Sequence, residues 1–478
     1  MYDIRSKYSS LPKAVKASLW FTICSVLQKG VSFLTVPIFT RMLSVEEYGM
    51  VSLFAAWQSV LSIFATLNLS YQIFNNGMVH FEKDRDGYTT AMLGLSNFAT
   101  IFLFLIYLSF YTSIETFINL PTEAIVLMFC GFLFSAATSL WTVQQRFLFE
   151  YRTLCILTII GTLATAILGI VFVSFNHTGI SKILADMICS IVIGIGIYLI
   201  LIKKDAKLID LTYWKYALRL DIPLIPHYLS MIILSNSDRI MIDAICGKSF
   251  TALYSVPYNA SMVMQIIITS INASFIPWTY QKCKEKSYEQ LRKISSILLI
   301  FVMCITLIPS LFAPELVWLL GSDKYAESMW VVPPVSCSIF FIFLYSMFSN
   351  IELYYGKSKN MMIASLVAAA VNILLNFIVL PHFGYISAAY TTLFCYIFLS
   401  ITHYAFMKKV CNEKCIREIP YEKKLIILIS GFLVVYSMGV TLLFGKSIWI
   451  RYSMIALIGI LMYRNKDLLR QQFITIKK

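Results

Sequence analysis

The chain alternates between long apolar stretches and short polar connections that are mostly basic. Fourteen apolar stretches run near 17–40, 49–72, 89–111, 122–143, 154–174, 179–202, 222–245, 250–277, 294–315, 329–354, 361–380, 384–407, 425–444 and 448–463. About twenty helical residues span the roughly 30 Å hydrocarbon core of a bilayer. The pattern therefore predicts an all-α polytopic membrane protein with about 14 transmembrane helices.

The basic residues between these stretches predict the orientation. If the N-terminus is cytoplasmic, 31 of the 39 Lys and Arg residues fall in inner loops and tails, and six fall at the outer side. This bias follows the positive-inside rule, and it predicts an even helix count with both termini in the cytoplasm. The net charge of +14 therefore reflects topology and attraction to membrane lipids, and we expect no nucleic-acid partner.

Composition and motifs exclude several classes of protein. The chain is 59% hydrophobic and 13% charged, outside the usual range of soluble domains. Gly247-Lys248-Ser249, Gly356-Lys357-Ser358 and Gly445-Lys446-Ser447 resemble the end of a phosphate loop, but each lacks the glycine five positions earlier. Catalytic and metal-binding motifs are also missing, so we expect neither an enzyme nor a cofactor or metal site.

The chain carries weak signs of an internal repeat. Residues 47–52 align with 250–255 at an offset of 203, and residues 167–173 align with 373–379 at an offset of 206. Both matches pair stretch n with stretch n+6. We expect two parallel six-helix bundles, at 1–210 and 211–410, followed by an added helix pair and a cytoplasmic tail at 411–478. Such a duplication is typical of transporters that work by alternating access.

Lys29 lies at the centre of the first apolar stretch, 17–40. A lysine near the bilayer midplane costs about 2.5–3.5 kcal/mol on insertion scales, so such residues usually face a protein-lined or water-filled interior and take part in transport. A purely structural pairing with an acid on another helix is the alternative.

The seventh stretch carries the densest polar group, from Ser235 to Asp243. Arg239 and Asp243 are spaced i, i+4 and are able to pair on one helix face. In that interpretation the charges are structural. In the other, Asp238 faces elsewhere and binds a proton or Na⁺, while Arg239 meets an anionic substrate. The sequence supports both interpretations equally.

Other polar residues within the stretches are weaker candidates. Glu352 lies near the inner end of the tenth stretch, where we expect water to reach it, and His227 lies near the inner end of the seventh. Both join Asp238 and Asp243 as candidates for ion coupling. Four uncharged residues are candidates for lining a polar cavity: Gln28, Asn236, Asn372 and Asn376. For Asn372 and Asn376, a hydrogen bond across helices is the alternative.

Two regions resemble the polysaccharide repeat-unit flippases of the Wzx type, within the multidrug/oligosaccharidyl-lipid/polysaccharide exporter superfamily. The first comprises Ala17–Trp20, Lys29–Leu43 (KGVSFLTVPIFTRML) and Glu47–Gly49. The second comprises Ser237–Ile242 (SDRIMI), with Gly247 and Leu253–Ser255 after it. The resemblance covers nearly the whole chain in its pattern of apolar stretches, but its distinctive motifs lie in these two regions.

This resemblance implies transfer of an undecaprenyl-pyrophosphate-linked oligosaccharide across the bacterial cytoplasmic membrane, before polymerisation into O-antigen, capsule or exopolysaccharide. The glycan polymerase machinery is then a candidate partner, and H⁺ or Na⁺ a candidate coupling ion. Lys29, Arg239 and Arg41 are the expected anion path for the pyrophosphate. Two alternatives remain open: a multidrug/toxin cation antiporter, which favours an acidic cavity, and a lipid II flippase.

Overall fold

The computed structural model of the protein describes residues 12–71, 73–202, 207–416, 419–444 and 448–464. The chain divides into two compact units, Met1–Asn236 and Ser237–Lys478. The boundary falls inside one helix, Ile225–Cys246, because the polar residues of its second half make their bonds within the second unit.

The first unit consists of helices joined by short turns. Its α-helices are α1 (Lys13–Met42), α2 (Val45–Ala65), α3 (Ile73–His80), α4 (Arg85–Ser109), α5 (Tyr111–Ile118), α6 (Thr122–Phe147), α7 (Tyr151–Phe175), α8 (Gly179–Leu201), α9 (Leu211–Asp221) and the first half of α10 (Ile225–Cys246). Two short 3₁₀ helices, Glu82–Asp84 and Ile222–Leu224, precede α4 and α10.

The second unit is also helical throughout its described residues. Its α-helices are the second half of α10, α11 (Lys248–Met262), α12 (Gln265–Lys284), α13 (Tyr288–Leu311), α14 (Ala313–Gly321), α15 (Val332–Tyr354), α16 (Ser358–Phe383), α17 (Ser387–Glu413), α18 (Lys423–Gly439) and α19 (Ile448–Arg464). The 3₁₀ helices Asp323–Val331 and Val440–Leu443 lie before α15 and after α18.

The all-helical membrane fold is confirmed, whereas the count of 14 transmembrane helices is not. Eleven of the described helices are long and apolar enough to cross a membrane, or twelve if a bent pair forms one span. Two expected stretches do form helices but fall outside that set. Polar side chains such as Thr391, Thr392 and His403 lower the hydropathy of α17, and the apolar part of α19, Ile448–Leu457, is short.

The expected stretch 250–277 is not one straight helix. It forms α11 and α12, which meet at an angle of 40°. Between them, Val263, Met264, Ile266 and Ile267 donate backbone hydrogen bonds to the carbonyl three residues earlier. Local 3₁₀ bonding of this kind is a common cause of a sharp bend, and a hydropathy pattern does not reveal it.

The core of the first unit lies where α4, α6 and α8 meet. Phe74, Tyr88 and Trp141 are among its large buried side chains. The short helix α9 packs against α4, where the indole of Trp214 donates a 2.8 Å hydrogen bond to the Ala91 carbonyl. An amphipathic helix outside the expected stretches is thereby joined to this core.

The core of the second unit is built around α15. In the most apolar 18-residue segment of this span, Asp323–Tyr354, 89% of the residues are buried. The most extensive contact of α15 is with α17, and α15 also packs against α12, α13 and α18. The last helix is attached by an ion pair, since both Nη atoms of Arg451 lie 2.8 Å from the carboxylate of Glu315. A buried guanidinium therefore connects α19 to α14.

The same helix pairing occurs inside each unit. In the first unit, α6 and α8 make the most extensive contact, and they correspond to the fourth and sixth apolar stretches. In the second unit, α15 and α17 do so, and they correspond to the tenth and twelfth. This pairing has the offset of six that the repeat suggests, while the domain limits at 210 and 410 stay predictions.

Gly247 forms the turn between α10 and α11. Its φ of 103° and ψ of 168° lie in a region that is almost restricted to glycine. The space around it is open, since a Cβ built there meets no atom within 4 Å. The requirement for glycine is therefore one of backbone conformation.

We predict that Gly247→Ala lowers the free energy of unfolding by about 1–3 kcal/mol because alanine is strained in this conformation. Thermal unfolding in detergent measures the effect. Gly431→Ala is the matched control, since Gly431 lies inside α18 and also has open space around it. Equal unfolding midpoints for the two variants would contradict the prediction.

Candidate functional site

Lys29 lies in the middle of α1 and is exposed. Only 6% of the residues in the most apolar 18-residue segment of α1 are buried. Most side chains of this segment therefore face outward from the packed helices. Among the residues that the structure describes, none forms a hydrogen bond or ion pair with the Lys29 ammonium. Gln28 is exposed beside it. The charge therefore needs water or an anionic ligand to offset its cost in an apolar surrounding.

Arg41 lies at the C-terminal end of the same helix. Its Nη1 donates a 2.9 Å hydrogen bond to the Pro37 carbonyl, and a cation at this end is favoured by the helix dipole. Twelve residues separate Arg41 from Lys29, which is about 18 Å along a helix axis. The two cations therefore occupy separate positions, and one phosphate group cannot contact both at once.

Asp238 is the centre of a buried polar network in the second unit and is 1% exposed. Its Oδ2 accepts hydrogen bonds from the hydroxyls of Tyr254, at 2.6 Å, and Thr392, at 2.5 Å. Its Oδ1 accepts a 2.6 Å hydrogen bond from the Asn376 amide. Three neutral donors from α11, α16 and α17 therefore satisfy one carboxylate on α10.

Further polar residues extend the network along α16. Asn372 Oδ1 accepts a 2.8 Å hydrogen bond from Ser237 and a 3.4 Å one from Asn376. Asn376 Oδ1 in turn accepts a short hydrogen bond from the Thr391 hydroxyl. Asn372 and Asn376 thus bond across helices in this structure. The site gathers carboxylate, amide and hydroxyl oxygens around one negative charge.

The contacts of the Arg239 side chain include three residues of α11. Its Nε donates a 3.2 Å hydrogen bond to the Ser255 hydroxyl, and its Nη2 donates a 3.0 Å one to Asn259. The guanidinium carbon also lies 4.7 Å from the centre of the Tyr258 ring. These α11 contacts of Arg239 differ from the hydrogen bonds of Asp238, its neighbour in sequence. Asp243, one turn later on α10, is buried.

Glu352 is fully buried, so the expectation that water reaches it is wrong. The side chain lies between α15 and α17, and its Oε1 is 2.7 Å from Nδ1 of His403. Packing of α15 on every side, rather than its position near the helix end, determines this burial.

The remaining candidates lie near the middle and start of α10. Asn236 is half-buried, and its amide donates a 3.2 Å hydrogen bond to the Ile232 carbonyl of its own helix. His227 is also half-buried and lies next to the ring of Tyr228. Asn236 and His227 belong to the first unit, whereas Asp238 and its partners belong to the second.

Sequence reasoning missed three groups in these buried sites: Tyr254, the pair Thr391 and Thr392, and His403. Tyr254 was visible within the motif after Gly247, and the two threonines interrupt an apolar stretch. A buried carboxylate requires hydrogen-bond donors. Polar residues within the other apolar stretches were therefore the available sign of its partners. Among the described residues, no group of three or more His, Cys, Asp or Glu side chains is placed to hold a metal ion.

Comparison with known proteins identifies relatives in sequence. The family described as polysaccharide biosynthesis protein matches residues 14–282, more than half of the chain, and the MatE family matches residues 223–378. Lsg locus putative protein 1 of Haemophilus influenzae is 25% identical over 370 residues, which cover 73% of this chain and 86% of that protein.

Comparison with solved structures shows the fold. The lipid II flippase MurJ in an inward closed conformation superposes with a TM-score of 0.65 and 16% identity, over 94% of this chain and 100% of that one. An inward-facing multidrug resistance MATE family transporter of the MOP superfamily gives 0.61 and 15%, over 80% and 96%. The chain therefore has the fold of these two membrane proteins.

We predict that Asp238→Ala lowers the free energy of unfolding by at least about 2 kcal/mol, because it leaves buried donors of Tyr254, Thr392 and Asn376 unpaired. The control is Ser338→Ala, which removes a buried hydroxyl that bonds only locally, to Pro334. Thermal unfolding in detergent compares them. If Asp238→Ala is as stable as the wild type, the network does not hold these helices together.

Proposed function

The chain belongs to the polysaccharide biosynthesis protein family, and we propose that it is a flippase for an undecaprenyl-pyrophosphate-linked oligosaccharide repeat unit. It moves this lipid across the bacterial cytoplasmic membrane by alternating access, with both termini in the cytoplasm. The product then enters assembly of O-antigen, capsule or exopolysaccharide. Membership of the family and the transporter fold support the class of protein, and the charges of the chain support the substrate.

The observation that carries this proposal is the Lys29 ammonium in the middle of α1. It is exposed and is the one charged residue within the apolar stretch 17–40, and it has no side-chain partner among the described residues. The pyrophosphate of the substrate must cross the same low-dielectric region, where opposite charges attract strongly. A lysine here lowers the free energy of placing the anion in this region, and the anion likewise lowers the free energy of the lysine charge.

Arg41 and Arg239 complete the proposed anion path. A guanidinium binds phosphate through two parallel hydrogen bonds, so it holds the group in a defined orientation. Arg41 lies about 18 Å along α1 from Lys29, and it would receive the pyrophosphate at a different stage of the crossing. The ring of Tyr258 supports the guanidinium of Arg239. Gln28 beside Lys29 offers a polar contact for the glycan or the phosphate.

Asp238 is the strongest candidate for ion coupling. Its carboxylate is bonded to Asn376 and Thr392, and Asn372 bonds to Asn376. Each of these three side chains carries an oxygen atom that is a suitable ligand for Na⁺. The hydroxyl and amide donors now bonded to the carboxylate would turn to present oxygen to the ion. Protonation of Asp238 is the alternative. Asp243, Glu352 and His227 are further candidates on the same physical ground, as ionisable groups in apolar helices.

A multidrug/toxin cation antiporter is the second candidate function. Two observations favour it: the MatE family matches residues 223–378, and this segment contains the buried Asp238. A cationic drug needs an acidic cavity, and the exposed Lys29 opposes that substrate. Drug susceptibility of cells that express the chain tests this function separately from glycan assembly. A lipid II flippase would carry the same pyrophosphate linkage with a different glycan.

We predict that Lys29→Ala reduces flipping at least about tenfold, since a charge-assisted hydrogen bond contributes roughly 1.5–3 kcal/mol. Lys29→Arg should retain more activity than Lys29→Ala because it keeps the charge. The readout is surface polysaccharide in cells that lack their own repeat-unit flippase, normalised to protein level.

Lys324→Ala is the control, because Lys324 is an exposed lysine of the Asp323–Val331 helix and lies outside the proposed path. Full activity of both Lys29 variants at normal protein level would contradict the proposed role of Lys29.

A further inference from the structure

Glu352 and His403 form a buried acid–base pair in the second unit. Glu352 lies in the last turn of α15, and His403 lies in the second half of α17. The Oε1–Nδ1 distance is 2.7 Å, and both residues are 0% exposed. An ionisable pair of this kind, inside the most buried helix of the protein's described spans, is expensive to desolvate.

The aromatic side chains around the pair fix the position of the imidazole. The ring of Tyr345, two turns earlier on α15, stacks on His403 with centroids 5.7 Å apart. The ring of Tyr396 on α17 also stacks on Tyr345, with centroids 6.4 Å apart. The imidazole is therefore held at the carboxylate by packing as well as by the hydrogen bond.

The pair leaves two polar atoms without partners. Neither Oε2 of Glu352 nor Nε2 of His403 has a hydrogen-bond partner among the described residues. More than nine in ten buried polar atoms have one, so two such atoms in a single pair call for an explanation. A proton is the smallest ligand able to change the charge of this pair, and both residue types accept protons.

Several charged groups on neighbouring elements have partners of their own. Lys357 pairs with Glu413 at 2.8 Å, and Lys357 lowers the pKa of that exposed carboxyl. Arg292 of α13 donates hydrogen bonds to the Ile419 carbonyl. Lys282 of α12 pairs with Glu285, and the following charged residues of these helices are exposed: Lys284, Glu289, Lys293, Lys359, Lys408, Lys409, Lys423 and Lys424. The titratable side chains here also include thiols and phenols: Tyr280 and Cys283 on α12, Tyr288 on α13, Tyr404 and Cys411 on α17, and Tyr421.

We propose that Glu352 and His403 form a proton-binding site of the transport cycle. With one proton the pair is a carboxylate and an imidazolium of net charge zero, and without it a single negative charge remains. A lone buried anion is strongly disfavoured, so the proton leaves only in a conformation that admits water to the pair. Proton occupancy is thereby coupled to conformation. This inference rests on the proposed transport function.

The site differs in chemistry from Asp238. Three neutral donors satisfy the Asp238 carboxylate, and each of these three side chains also carries an oxygen atom able to bind a cation if the side chain turns. The Glu352 site has an imidazole instead, which takes up a proton on nitrogen and offers no such set of oxygen ligands. The two sites therefore predict different ion dependence.

The functional test measures flipping in vesicles of purified protein, with and without an imposed pH gradient. We expect the wild type to respond to the gradient and both Glu352→Gln and His403→Gln to lose at least about 80% of that response while flipping without a gradient persists. His382→Gln, which removes an exposed histidine of α16, should respond like the wild type. A full response in both dyad variants overturns the proposal.

A second measurement tests the site without reference to transport. The chain has five histidines, so protein labelled with ¹⁵N-histidine gives few signals, and His→Gln variants at positions 80, 177, 227 and 382 assign the fifth to His403. The His403 signal should change with pH in the wild type, and Glu352→Gln should alter that change because it removes the hydrogen-bonded carboxylate. A signal that is unchanged across the pH range in which the protein is folded overturns the proton site. If the wild type does not flip the lipid but His403 titrates, the proposed function fails and the proton site stands.

Discussion

The cost of placing charge among apolar helices is the constraint on which this structure depends. Asp238 shows how the second unit meets it, because one carboxylate on α10 receives hydrogen bonds from α11, α16 and α17. The charge of Arg451 is compensated by Glu315 through two hydrogen bonds, and Glu352 is bonded to His403. In each case the charge joins helices that are distant in sequence. In this unit the contacts that compensate buried charges therefore also hold the helices together.

Lys29 stands apart from this pattern. Its ammonium is exposed on α1 and is not compensated by any side chain that the structure describes. A structural lysine would be expected to have a partner like that of Arg451. A lysine that meets a transient anion requires the opposite, a charge that is available when the substrate arrives. This contrast links the fold to the proposed transport of a pyrophosphate-linked lipid.

The sequence was informative where periodicity and hydropathy determine the outcome. Each of the fourteen apolar stretches contains at least one helix, and the polar residues Asp238, Asn372 and Asn376 are candidates from the sequence alone. Tertiary partners were not predictable, because Thr392 lies 154 residues from Asp238 and His403 lies 51 residues from Glu352. The burial of Glu352 and the bend between α11 and α12 likewise depend on packing and local backbone bonding. A hydropathy pattern contains no information on either packing or local backbone bonding.

The central claim is that the chain carries a lipid whose pyrophosphate meets a cation within the membrane. The most direct measurement reconstitutes the purified protein in vesicles that contain a fluorescent oligosaccharide on undecaprenyl pyrophosphate, and follows its exposure in each leaflet. We expect protein-dependent flipping of this lipid and at least about tenfold slower flipping of the same oligosaccharide on undecaprenol without phosphate. Equal rates for the two lipids, or no protein-dependent flipping of either, would contradict it.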